Sequence, residues 1–185
     1  MFRAASQATF ITLPLLSIAS GCFLVTSVSA QLHTRLPVTR SFEILGKFES
    51  ESDCQKLLYA PLAEKLTCRE TQVYRFEFEG DEAALEAFVQ RVLVDAISQT
   101  SRDAGTPAFE KRAFELEFGM KGGALDLEKE MIQNYYRSLE NPGFELKKLT
   151  LRRRIYVFGD GARPEPFVRD VCNPAIHTWE VRQAA

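Results

Sequence analysis

The chain has 185 residues, 45% hydrophobic and 26% charged, with a formal net charge of −2. That length fits one domain or two small ones, with enough apolar material to bury a core. The near-neutral balance lacks the basic footprint of a nucleic-acid or anionic-membrane binder and excludes both as partners.

The N-terminus stands apart. Residues 1–42 contain no acidic residue, and Arg3 precedes an apolar run over residues 10–28. Val28-Ser29-Ala30 resembles a signal-peptidase site, so residues 1–40 read as a cleaved targeting segment, with a membrane anchor as the alternative. Cys22 after Ala19-Ser20-Gly21 is reminiscent of a lipobox, but it reads as an ordinary apolar signal residue because the chain stays apolar beyond it. The basic, acid-free stretch that follows, with His33, Arg35 and Arg40, has the character of an organelle transit peptide. An organelle such as a plastid, or export, is the expected destination; an unused segment would leave the chain cytoplasmic. Without residues 1–42 the net charge becomes about −5.

The first strand is expected near Phe42, Ile44 and Phe48. A helix with Ser50 or Ser52 as its cap follows, with a Leu57, Leu58, Leu62 and Leu66 stripe and a kink at Pro61. Tyr74, Phe76 and Phe78 alternate with Arg75 and Glu77 on a second strand. After Gly80, Asp81 starts a long helix with Leu85, Phe88, Val89, Val92, Leu93 and Ala96 on one face. Residues 98–107 read as a polar linker punctuated by Gly105 and Pro107.

Beyond it, Phe114, Leu116 and Phe118 alternate with Glu115 and Glu117, which predicts a half-buried strand. A turn with Gly119, Gly122 and Gly123 leads to a helix whose buried stripe is expected to be Leu127, Met131, Tyr135 and Leu139. Asn141-Pro142-Gly143 stops that helix. A strand over 149–158, a Gly159-Asp160-Gly161 turn, a short helix over 164–171 and a closing strand over 176–181 complete the chain.

Residues 68–98 and 149–179 repeat one order: strand, Gly-Asp turn, helix bearing Phe-Val (Phe88-Val89 and Phe167-Val168), then Ala-Ile. Such repetition predicts an α+β fold of two ferredoxin-like β-α-β-β-α-β units, at 41–100 and 108–183. Packed sheet against sheet as a pseudo-dimer, two units would share a core that one alone could barely build.

Candidate chemistry is sparse. Gly119, Gly122 and Gly123 could cradle a phosphate before a helix, but a turn needing positive φ explains them. Arg152, Arg153 and Arg154 would alternate faces on a strand and cannot form one fork; a charge-defended sheet edge is the simpler reading. His177 and Trp179 share a strand face, yet the sequence gives His177 no Cys or carboxylate partner, so it reads as structural. Asp126 and Glu128 suit a helix start. Cys54, Cys68 and Cys172 read as unlinked thiols, with a Cys54–Cys68 disulfide as the alternative in an oxidising compartment. His33 and His177 lack zinc-ligand spacing. No catalytic, cofactor-binding or metal-binding residue is assigned.

The second unit carries a resemblance. Phe114-Glu115-Leu116-Glu117-Phe118-Gly119-Met120-Lys121-Gly122-Gly123-Ala124-Leu125-Asp126 resembles the opening strand, Lys-Pro-Gly turn and Leu-Asp of the PurS subunit of phosphoribosylformylglycinamidine synthase. Gly143-Phe144, Arg154-Ile155-Tyr156-Val157-Phe158-Gly159-Asp160 and Asn173-Pro174-Ala175-Ile176 continue the pattern. Met120-Lys121-Gly122-Gly123 departs from it where Pro-Gly is usual. Large single-chain forms of the enzyme begin with two such units in tandem, imitating a PurS dimer, and residues 41–183 resemble that region. The resemblance implies a non-catalytic role in de novo purine biosynthesis, joining the synthase and glutaminase parts of a glutamine-dependent C–N ligase. ATP and magnesium would be bound by the partner's catalytic domain. Two other readings stay open: an exported α+β ligand- or protein-binding module, and a small ferredoxin-like monooxygenase-type enzyme with His177 and Trp179 in its cleft.

Overall fold

The computed structural model describes residues 37–60 and 62–183. The expected targeting segment, with Cys22 and His33, and the expected kink at Pro61 lie outside them.

Among the described residues, seven strands form one antiparallel sheet, and three α-helices pack on it, an α+β design. The strands are β1 (Val38–Gly46), β2 (Ser52–Asp53), β3 (Thr67–Gly80), β4 (Gln99–Asp103), β5 (Phe114–Met120), β6 (Phe144–Phe158) and β7 (His177–Gln183). The helices are α1 (Glu82–Val92), α2 (Leu127–Arg137) and α3 (Pro164–Val171). The order is β4-β1-β3-β6-β5-β7, with β2 paired to one end of β3. It therefore reads outward alike from the central β3–β6 pair. The two halves join edge to edge along those long strands, from Thr67↔Phe158 to Gly80↔Phe144, and not sheet against sheet. The second half runs β-α-β-α-β, one strand fewer than the expected β-α-β-β-α-β unit.

Residues directly opposite across strands share a sheet face. Phe76↔Leu149, Cys68↔Val157, Leu116↔Ile155 and Phe42↔Tyr74 therefore line one face, and all three helices lie on it. One apolar cluster joins Tyr74, Phe76 and Phe78 to Leu85, Phe88 and Val89 of α1 and Ile132 of α2. A second joins Phe114, Leu116, Ile155 and Val157 to Phe167 and Cys172 around α3. Asp81 caps α1 by accepting the Ala83 amide at 2.9 Å, and its buried residues are among those the sequence pattern selects.

Several expectations change. β1 begins at Val38, ahead of the expected boundary, because residues 38–41 pair with β3. The helix expected over 50–66 shrinks to a 3-10 turn, Cys54–Leu57, capped by Asp53 and not by Ser50 or Ser52. Cys54 N–H donates to Leu66 O at 3.2 Å, and the Gln55 side chain clamps both the N–H and C=O of Leu62. Those contacts hold the segment's ends together as a loop, while Leu57, Leu58 and Leu62 still pack on the second cluster.

The expected linker is edge strand β4, paired from Phe42↔Asp103 to Gly46↔Gln99. Its stability comes from main-chain pairing, so its polar side chains gave no alternating signal. α2 presents Glu128, Ile132 and Tyr136 inward, one residue around from the expected stripe. Ile132 is buried, whereas Leu127 and Met131 are exposed. Tyr136 anchors this rotation by donating to Phe144 O at 2.8 Å and accepting the Leu146 N–H at 3.0 Å. β6 is central, not an edge, so the three arginines do not defend one.

Candidate functional site

Two side-chain groupings carry polar chemistry, one on each sheet face. On the helix face, a cleft of about 410 Å³ lies where the two apolar clusters meet, and its lining includes Gln72, Tyr74, Phe118, Leu151, Arg153 and His177. A second cleft beside it shares Gln72 and Arg153. The Tyr74 hydroxyl donates to Glu128 Oε1, and Gln72 Oε1 lies 2.7 Å from the same hydroxyl oxygen. Burial, reinforced by the Glu128 carboxylate, pushes the Tyr74 pKa well above the usual phenol value.

The sequence-selected residues divide around this cleft. Asp126 lines it and caps α2, accepting the Lys129 N–H at 3.1 Å. His177 Nδ1 accepts the Asn173 N–H at 3.1 Å, and its ring lies 5.4 Å from that of Phe118. Trp179 sits opposite Phe118 in the β5–β7 register, 40% exposed, and does not line the cleft. In the glycine turn, Gly123 takes φ +91°. The Lys121 and Ala124 amides donate to Ile176 O and Lys121 O, so two of the donors a phosphate cradle would use are committed. At Gly119 a Cβ would come within 2.6 Å of Leu151 O, which is why no side chain fits there.

The opposite face holds what the alternation of β5 concealed. Glu43, Glu115, Glu117 and Arg154 are all buried. Arg154 Nε and Nη2 donate to Glu117 Oε2 at 3.1 and 2.7 Å, and Nη1 donates to Glu43 Oε2 at 3.2 Å. Glu43 Oε1 accepts the Tyr156 hydroxyl at 2.7 Å and the Thr71 hydroxyl at 2.6 Å. Glu115 is flanked by Arg112 at 3.2 Å and Arg182 at 3.0 Å. The segment between β4 and β5 covers this network: Ala104 O accepts from Arg154, the Ala108 N–H donates to Tyr156, and Phe109 packs on Tyr156 at 5.0 Å. Burial pushes the Tyr156 hydroxyl up to about 12. Each acid has a basic neighbour, so the cluster reads as a structural ion network. Among the described residues no group of His, Cys, Asp and Glu is placed to hold a metal ion.

Cys54, Cys68 and Cys172 are free and buried, as the unlinked reading expects. A hydrogen bond from Cys54 holds the Cys68 thiol down to about 7 against the opposing effect of burial. Burial alone raises Cys172 to about 11.

The sequence flagged Arg152, Arg153 and Arg154 together, and the structure separates them. Arg154 enters the buried network, Arg152 lies 3.6 Å from Glu117, and Arg153 faces the cleft. Missed were Glu43, Thr71, Tyr74 and Tyr156; the one available signal was the odd purchase of acids inside otherwise apolar strands. No family model matches the chain, and no curated protein or solved structure matches it at a significant level.

Proposed function

We propose that the chain is a PurS-like assembly module of phosphoribosylformylglycinamidine synthase, without turnover of its own, that holds the synthase and glutaminase parts together in purine biosynthesis. ATP and magnesium would belong to the partner's catalytic domain. The carrying observation is the sheet order, which is the same outward from β3–β6, as a tandem pair imitating a dimer would have it, with one strand fewer in the second half than a full ferredoxin-like unit.

Matching contacts in the halves support this reading. Lys47 N–H donates to Ser98 O at 2.7 Å, as Lys121 N–H does to Ile176 O at 2.8 Å. The same two lysine tips reach Ala96 O at 2.7 Å and Pro174 O at 2.6 Å. Gly80 and Gly159 both take φ +118°. The residues that carry the PurS resemblance fall at junctions: Asp126 caps α2, Gly143 opens β6 at φ +81°, and Asn173 makes the turn before β7 by accepting the Ala175 N–H.

The test is reconstitution. The chain is mixed with a synthase domain and a glutaminase lacking their own PurS-like region, and glutamine-dependent product is followed. Binding and restored activity are expected. Failure of both rejects the purine reading and favours an exported binding module. Turnover by the chain alone, abolished in His177→Ala, rejects the non-enzymatic role.

A further inference from the structure

Among the described residues, Arg153 is the one member of its triplet with no hydrogen-bond or ion-pair partner. It lies mid-β6, opposite Gln72 on β3 and Phe118 on β5. It is exposed in the cleft, and no hydrogen bond or ion pair to it occurs among the described residues. The nearby acids are committed elsewhere: Asp126 to the α2 cap and Glu128 to the Tyr74 hydroxyl. The unmet group in this cleft is thus a guanidinium, a planar fork suited to a carboxylate or phosphate.

Beside it lies an apolar floor of Phe118, Met120, Leu151 and Val171. A volume of about 410 Å³ falls within the range of small-molecule sites, where a few polar groups orient a mostly apolar contact. Asp126 and Glu128 also line the cleft, and carboxylates there oppose a dianion more strongly than a monoanion.

We propose that this cleft binds a small organic monocarboxylate, its carboxylate forked by Arg153 and its flat apolar body against Phe118 and Leu151. The site is independent of any assembly role, since it is complete within this chain.

Benzoate, phenyl phosphate and benzyl alcohol are the probes, titrated into the full chain by calorimetry and amide NMR. Benzoate should saturate and shift the amides of Phe118, Leu151 and His177. Phenyl phosphate should bind more weakly and benzyl alcohol not at all. Arg153→Gln should weaken benzoate by about tenfold or more, the scale of a lost charge-assisted hydrogen bond. Because Arg153 makes no hydrogen bond or ion pair among the described residues, the variant should keep the parent spectrum; Arg153→Lys, which keeps the charge, should fall between. Failure of benzoate to saturate, equal binding by Arg153→Gln, or equal binding of benzyl alcohol overturns the proposal. Tighter binding of phenyl phosphate overturns the monocarboxylate assignment.

Discussion

The two faces of the sheet are buried by different physics. The helix face is closed by aromatic and aliphatic packing, as around Phe76, Phe88 and Phe167. The other face is closed by one irregular segment over an ion network, with Glu43, Glu117 and Arg154 as thoroughly buried as the core. Apolar packing tolerates imperfect partners. A buried charge does not, because its desolvation is offset only while each partner stays in place. The ionic face should therefore be the more brittle of the two, although fewer side chains build it.

The largest test breaks that brittleness directly. Arg154→Met strands two buried carboxylates and should lower unfolding free energy by about 3–5 kcal/mol in urea titration. Replacing Glu43, Arg154 and Glu117 together with apolar residues of similar volume should be neutral or stabilising by about 1–4 kcal/mol. If the single change is harmless, the network is not what closes this face.

Phe109→Leu probes the cover. Phe109 packs edge-on against Tyr156 and Phe158, with the Arg69 guanidinium 4.6 Å from its centroid. Losing these contacts should cost about 1–2 kcal/mol. Amide exchange should quicken at Ala108 and not in α1.

The pH dependence compares the faces through one tyrosine on each. The folded-state pKa of Tyr156 is raised to about 12 by burial, and that of Tyr74 is raised as well. Unfolded tyrosine releases its proton near about pH 10, so stability should fall as pH rises through the window from about 10 to about 12. Below that window both states hold the proton and these groups contribute no slope. Tyr156→Phe and Tyr74→Phe should each flatten part of the fall; a profile unchanged in both would refute the assignment.

The smallest effect on stability is expected at the exposed stripe of α2. Met131 is 69% exposed, so Met131→Glu should change stability by less than about 0.5 kcal/mol. In reconstitution, the same change reports whether that surface meets the synthase: weakened assembly with an unaltered melting curve places the contact there.

What the chain announces and what it conceals also follow the two faces. The apolar strands, the caps at Asp81 and Asp126 and the turns at Gly80 and Gly159 were legible because period, cap chemistry and positive φ are local properties. β4 was not, since Gln99-Thr100-Ser101-Arg102-Asp103 becomes a strand only through pairing with β1. The candidate cleft was half legible: Arg153, Asp126 and His177 drew notice singly, but Gln72 and Tyr74 join them only through register.

Local pattern was enough to place the strands at 74–78 and 114–118, the start of α1 at Asp81 and the face that α1 buries. Contacts distant in the chain decide that the strands form one sheet, that α2 turns Ile132 inward and leaves Met131 outside, and that Glu115 and Glu117 are buried. These outcomes depend on residues far apart in the chain. Periodicity records how a segment alternates but not what covers it, and the cover of Glu43 is Arg154, 111 residues away.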